Sequence, residues 1–512
     1  MKRIMMMVLI CLLILVGCGS NSDNDDSDTN DVSYSVSDNA VGNEDMTSAP
    51  VIVEESISGN ERYSEITENR FIETSQENTS TFAIDVDTAS YSNIRDLLNR
   101  GILPDVDTVR IEEMINYFDY DYVQPKDDVP FSVTTMTTDT PWNSETLVTM
   151  IGIQGKDIDR GQVPPSNIVM LIDVSGSMQD YNKLPLLKES FEELLLNMTD
   201  KDRVSLVVYA GSAGIVLEGA KGSDVDGIMD ALNQLQAGGS TAGGEGIELA
   251  YRIAMKYYID GGNNRVVLAT DGDFNVGLST VDALEDYIAE KREEGVSLSV
   301  VGFGRGNIRD DIMETLSNKG NGNYAYIDNL TEAKKVFGKE FLGNMFTIAK
   351  DVKVQVDFNK EVVETYRLIG YENRVLNNED FNDDQKDAGE LGIGHEVTAL
   401  YEITLKEDYL ASQSKLYDVR LRYKEPEEDI SKLVEVVNDY NGYLEYSIIN
   451  DDFKWALSVT EFGLILRASD YLANAEIQRV LSQAKAIFEV DNSSYKGEFI
   501  NIIEQYMKII NQ

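Results

Sequence analysis

Asp173, Ser175 and Ser177 stand at alternate positions in the stretch NIVMLIDVSGSMQD, directly after the apolar run 168–172. One carboxylate and two hydroxyls offer hard oxygen donors, one charged and two neutral. Such a set suits Mg2+, which takes octahedral oxygen ligands and keeps several waters. It suits Zn2+ poorly, because no Cys or His lies nearby. Two further stretches carry donors of the same kind. AGGSTAGGEGIELA sets Thr241 in a glycine-rich loop that opens a helix, and RVVLATDGDF sets Asp271 just past the apolar run 265–269. So few charges cannot close a cage around an ion, so an ion held here keeps an open position.

The donors need a scaffold that brings them to one edge. Apolar runs at 168–172, 204–208, 265–269 and 296–301 are short and rich in β-branched residues. Segments with helical spacing lie between them, at 184–197, 224–235, 242–258 and 280–294. Strands alternating with helices of this length predict an α/β fold, a doubly wound, mostly parallel sheet covered on both faces. Ligands of such open sheets bind beyond the carboxyl ends of the strands, where all three donor loops fall. Strand-like alternation at 131–154 and 351–424 flanks this region, and the last stretch, 452–512, has helical spacing. We expect the two β-rich flanks to pair in one sandwich with the α/β region inserted between them.

Asp173-x-Ser175-x-Ser177, then Thr241, then Thr270-Asp271-Gly272 resemble the metal-ion-dependent adhesion site of the von Willebrand factor type A domain. The resemblance implies a Rossmann-like domain that binds Mg2+, with Mn2+ or Ca2+ as substitutes. In that family the serines bind the ion directly, the threonine binds directly in the ligand-bound form, and the aspartates bind directly or through water. A partner protein's carboxylate takes the open position. Asp273 is read as a neighbour of the site and not as a ligand. The bland alternative is a set of helix caps and glycine turns, and five matches in order weigh against it. The blocks STFAIDVDTASYSNIRDLLNRG, VRIEEMINYFDYDY, RLIGYENRVL and FNDDQKDAGELGIGHEVTALYEI are similar to those of a bacterial lipoprotein family, whose members join an N-terminal flanking domain, an A domain and a C-terminal domain of unknown function.

The N-terminus points the same way. Lys2 and Arg3 precede an apolar core from Ile4 to Val16, which reads as a secretory signal too short to span a membrane. Leu15-Val16-Gly17-Cys18 resembles the bacterial lipobox, which implies cleavage before Cys18 and lipidation of its thiol. Cys11 is the other of two cysteines and falls in the cleaved segment, so no disulfide is expected. From 21 to 80 there are 15 Asp/Glu against Arg62 and Arg70, a composition that predicts a disordered acidic tether. The expected organisation is a signal peptide over 1–17, a tether over 18–80, an N-terminal flanking domain over 81–160, the A domain over 166–346 and a C-terminal domain over 351–512. The expected location is the cell envelope, on a membrane anchor outside the cytoplasm. The chain has 512 residues and a net charge of −46. That excess of acid argues against nucleic acid as a partner, which needs Lys/Arg clusters.

Catalysis fits less well. Asp85-x-Asp87-Thr88 after a strand resembles the nucleophile motif of haloacid-dehalogenase phosphatases, a Mg2+-dependent alternative. A strand running into a helix cap explains it more simply. His395 is the one histidine and stands at a strand start, outside any HExxH helix. The glycine run near Thr241 lacks GK[ST], so it is no phosphate loop. The sequence reads as a binding protein and not as an enzyme.

Overall fold

A computed structural model describes residues 61–126, 129–239, 243–272, 281–411, 414–426, 428–436, 443–491 and 493–511. Its centre is a six-stranded sheet in the order Tyr324–Ile327, Ser297–Phe303, Asn263–Thr270, Ser166–Asp173, Arg203–Tyr209, Ala213–Lys221. The first five strands run parallel and the last is an antiparallel edge. Unbroken apolar side chains bury the parallel strands on both faces. Ile168, Met170 and Ile172 pack under the helices Leu184–Leu195 and Val225–Asn233, while Val169 and Leu171 pack under Gly243–Lys256. The chain leaves Ser166–Asp173 for the neighbour on one side and returns to the neighbour on the other. The crevice at the carboxyl end of this strand is therefore the switch point of the sheet, where open α/β folds take ligands.

The flanks form one antiparallel sandwich, as expected. One sheet has the order Ile72–Glu73, Val363–Ile369, Glu396–Leu405, Leu147–Gly155, Phe131–Asp139. The other joins Val375–Leu376, Thr79–Ala83, Thr347–Phe358, Tyr417–Lys424 and Lys432–Val436, with Gly389–Gly392 beside Thr347–Phe358. Strands from before and after the central domain sit side by side in both sheets, and Phe82, Ile151, Val354 and Tyr401 share their core. A third layer joins Ala89–Asn99 and Ile111–Asn116 to the C-terminal helices Asp451–Leu466, Ile477–Asp491 and Ser494–Ile510 around Trp455, Phe462 and Phe499. Among the described residues no helix is long and apolar enough to cross a membrane.

Two expectations need correction. Residues 61–80, expected in the tether, are packed against the rest of the fold. Glu61 accepts from Arg305 Nη2 at 2.7 Å and from the Gly306 amide at 2.9 Å. Arg62 exchanges backbone hydrogen bonds with Ile308 and Asp310, Ile72–Glu73 is a strand, and Phe71 meets Tyr471 edge-on. The acidic composition misled because these side chains have specific partners far along the chain. Helical spacing in DTVRIEEMINYF, 107–118, predicts a helix capped by Asp107, but Asp107 accepts instead from the Ile66 amide at 2.9 Å. The helix starts at Ile111, with Arg110 before it and no side-chain cap.

Candidate metal-binding site

Asp173 is the last residue of its strand, in register with Tyr209 on one side, while Ile172 faces Ala269 on the other. The Asp173 carboxylate is fully buried. Its Oδ1 accepts from the Ser175 amide at 2.8 Å, and its Oδ2 accepts from the Tyr209 hydroxyl at 3.2 Å and Thr270 Oγ1 at 3.3 Å. Burial pushes its pKa up to about 6 against the Ser175 hydrogen bonds, and the neighbouring charge of Asp271 pushes the same way. Ser175 Oγ and Ser177 Oγ lie 2.9 Å apart, beside that carboxylate. The loop is pinned by backbone. The Val174 amide donates to Tyr209 O at 3.0 Å, the Gly176 amide to Gly239 O at 3.1 Å and the Gly238 amide to Val174 O at 2.8 Å. This binds the serine loop to the loop that leads towards Thr241, which itself lies outside the described residues, as does Asp273.

Asp271 follows the next strand and is fully buried. Its Oδ2 accepts from Lys183 Nζ at 2.7 Å, and Lys183 is 4% exposed. Gly272 has φ +96°, and a Cβ there would stand 2.5 Å from the Asn307 carbonyl oxygen. Only glycine turns the chain here while keeping the strand end tight against its neighbour. The structure therefore brings together Asp173, Ser175, Ser177 and Asp271. It also adds two side chains that sequence reasoning did not name, Tyr209, which orients Asp173, and Lys183, which holds Asp271, and it gives Thr270 of the Thr270-Asp271-Gly272 stretch a part in orienting Asp173. Tyr209 and Thr270 were readable as the ends of the strands beside Asp173. Lys183 had no local signal, since its partner is 88 residues away.

The donor set fits a hard divalent cation. A desolvated carboxylate beside a second one is relieved by a nearby positive charge, and the adjoining donors are neutral hydroxyls. Among the described residues no group of three or more His, Cys, Asp or Glu is arranged around a metal position. A site here depends on hydroxyl oxygens.

Asp85 and Asp87 are not part of this centre. Both are buried. Asp85 Oδ2 accepts from Arg374 Nε at 3.0 Å, and Arg374 Nη2 stands 3.7 Å from Asp87. Asp87 Oδ1 accepts from the Tyr324 amide at 2.8 Å, at the amino end of the edge strand, opposite the end that carries Asp173. His395 lies against Gly343, where a Cβ would fall 2.2 Å from its ring. Burial and the charge of Lys335 lower its pKa to about 4, so it is neutral near pH 7.

Three family models match the chain: von Willebrand factor over residues 57–149, von Willebrand factor type A domain over 167–339, and the C-terminal part of uncharacterized protein YfbK over 343–509. The uncharacterized protein YfbK of Escherichia coli (strain K12) is 38% identical over 469 residues, 87% of this chain and 81% of that protein. The chain belongs to the YfbK family. Uncharacterized protein sll0103 of Synechocystis sp. (strain ATCC 27184 / PCC 6803 / Kazusa) is 28% identical over 196 residues, 37% of this chain and 44% of that protein. A solved structure titled von Willebrand factor type A, from Catenulispora acidiphila, aligns with a TM-score of 0.42 and 16% identity over 73% of this chain and 89% of that chain. The family match over residues 167–339 gives the YfbK-family chain a von Willebrand factor type A domain, a class of domain that typically mediates protein–protein interactions, between its flanking parts.

Proposed function

We propose that this chain is an exported, lipid-anchored interaction protein that binds a partner protein through a divalent cation. Mg2+ is the expected ion, with Mn2+ or Ca2+ as substitutes. Asp173, Ser175, Ser177, Thr241 and Asp271 would hold it. The meeting of Asp173, Ser175, Ser177 and Asp271 at the switch point of the central sheet carries this reading. When bound, the ion supplies an electrophilic position that a partner's Glu or Asp can fill. The chain's own residues prepare that position. Tyr209 and Thr270 fix the Asp173 carboxylate, the backbone of Gly239 fixes the serine loop, and Lys183 holds Asp271. In the same loop Tyr181 is 81% exposed, an aromatic anchor of the kind that dominates protein interfaces.

The proposed anchor rests on the resemblance of Leu15-Val16-Gly17-Cys18 to a lipobox; cleavage before Cys18 and a lipid on its thiol would put the protein in the cell envelope. Residues 1–17, Cys18 and the acidic stretch up to residue 60 lie outside the described residues. The acidic composition of that stretch suits a spacer between anchor and fold. Asp85 and Asp87 carry no second, phosphatase-like reading, because both carboxylates are buried beside Arg374 at the other end of the sheet.

The test is affinity capture from envelope extracts with the wild type and Asp173→Ala, each in Mg2+ and in EDTA. A partner held by the wild type in Mg2+ and lost in the other three conditions is the expected result. Identical catches in all four would refute metal-bridged binding.

A further inference from the structure

The Lys183–Asp271 pair is an unusual feature for a site that reads as a cation site. Lys183 closes the serine loop immediately before the helix Leu184–Leu195. Its amide donates to Asp180 O at 3.0 Å, and its carbonyl accepts from the Leu187 amide at 2.8 Å. The backbone is thus fixed and the stem points inward. Space for the stem comes from Gly304, where a Cβ would stand 2.4 Å from Lys183 Cγ and 2.5 Å from Cε. The ammonium group ends against Asp271, with both side chains nearly free of solvent. Lys183 is therefore the internal cation of Asp271, which lies close enough to the second buried carboxylate, Asp173, to raise its pKa.

We infer that Lys183 is a positioning residue that acts as the site's built-in counter-cation, keeping the metal-free site folded and weakening its hold on a divalent ion. This rests on the cation-binding reading above. Asp173, Asp271 and Lys183 together carry −1, so a bound divalent ion brings these groups to +1. A positive site draws a carboxylate into the open position, so ion and acidic partner bind more tightly together than either alone. Without Lys183 the ion would neutralise both aspartates by itself, and the pull on a partner would fade.

The experiment is Mn2+ binding to the full exported chain, read as free Mn2+ by electron paramagnetic resonance, with folding checked by circular dichroism. Four proteins set the buried charge: Lys183→Met at −2, the wild type at −1, the double variant Lys183→Met with Asp271→Asn at −1, and Asp271→Asn at 0. Coulomb attraction in a poorly solvated site predicts Kd at least about tenfold tighter for Lys183→Met than for the wild type, and at least about tenfold weaker for Asp271→Asn. The double variant removes the Lys183–Asp271 pair as a whole and leaves Asp173 on its own hydrogen bonds, as in the wild type, so it stays folded where Lys183→Met does not. Its Kd should then lie within about threefold of wild type, far tighter than that of Asp271→Asn. A folded Lys183→Met that binds Mn2+ no tighter than wild type would overturn the role of Lys183 and leave the cation site standing. A double variant no tighter than Asp271→Asn would do the same. Absence of Mn2+ binding in all four would instead refute the cation site itself.

Discussion

Arg95 ties three parts of this chain together, and replacing it with Met makes a demanding test. The residue belongs to the N-terminal flank. Its guanidinium donates to Asp328 and Glu332 of the central domain, to Glu498 of the last helix at 2.9 Å, and to the Tyr117 hydroxyl at 2.7 Å. Arg95, Asp328 and Glu332 expose 2%, 4% and 1% of their side chains, whereas Glu498 exposes 29% and is discounted for solvent screening. Met fills most of the volume but leaves two buried carboxylates without their cation. Removing one partner of a buried ion cluster costs about 3–5 kcal/mol. The assay is urea unfolding of the wild type and Arg95→Met, followed by two probes to detect separate transitions. The pH dependence gives a second handle. Burial already raises the Asp328 pKa against the pull of Arg95. Without Arg95 it rises further, so the folded variant favours the protonated acid. That contribution is present at low pH and is lost as pH rises, so the deficit of Arg95→Met is larger at pH 8 than at pH 5.5. A loss under about 1 kcal/mol at pH 8, the level of an exposed ion pair, would refute the reasoning. A deficit that grows on acidification would refute it as well.

Two further outcomes follow from buried geometry. Gly272→Ala forces a side chain into left-handed backbone and onto the Asn307 carbonyl, so it should cost about 1–3 kcal/mol in urea unfolding and weaken Mn2+ binding with it; an unchanged midpoint would contradict the close approach. Burial raises Glu396 and Glu390 to about 8 from an ordinary value of 4.5. Their folded forms favour the proton, so the associated stability is full below the ordinary value and is lost as pH rises through about 8. The melting temperature of the wild type should therefore fall more between pH 6 and pH 9 than that of the Glu390→Gln, Glu396→Gln double variant, measured by circular dichroism.

The central sheet was legible because strands buried on both faces read as unbroken apolar runs, such as 168–172 and 265–269. The edge strand Ala213–Lys221 was not, because half-exposed positions and glycines break the pattern. Asp173, Ser175 and Ser177 were legible because their spacing lies within one loop, and Asp271 because its strand is plain. Lys183 and the order in residues 61–80 were hidden for one common reason. Both depend on ion pairs between distant positions, Lys183 with Asp271 and Glu61 with Arg305, and pairing over 88 or 244 residues leaves no local trace. Acidic composition predicts disorder only where the charges have no such partners.

The same loop connects these two hidden features. Residues 304–309 leave the carboxyl end of Ser297–Phe303. Gly304 makes room for the Lys183 stem, Arg305 and the Gly306 amide take the Glu61 carboxylate, and the Asn307 carbonyl abuts Gly272 beside Asp271. Arg62 then adds backbone hydrogen bonds to Ile308 and Asp310. Residues 61–62 therefore brace the loop that shapes the Lys183–Asp271 pair. They are part of the support of the site and not a linker leading up to it. Cutting the chain after residue 80 to isolate the central domain would remove that support. A stable minimal form of the site should begin before Glu61.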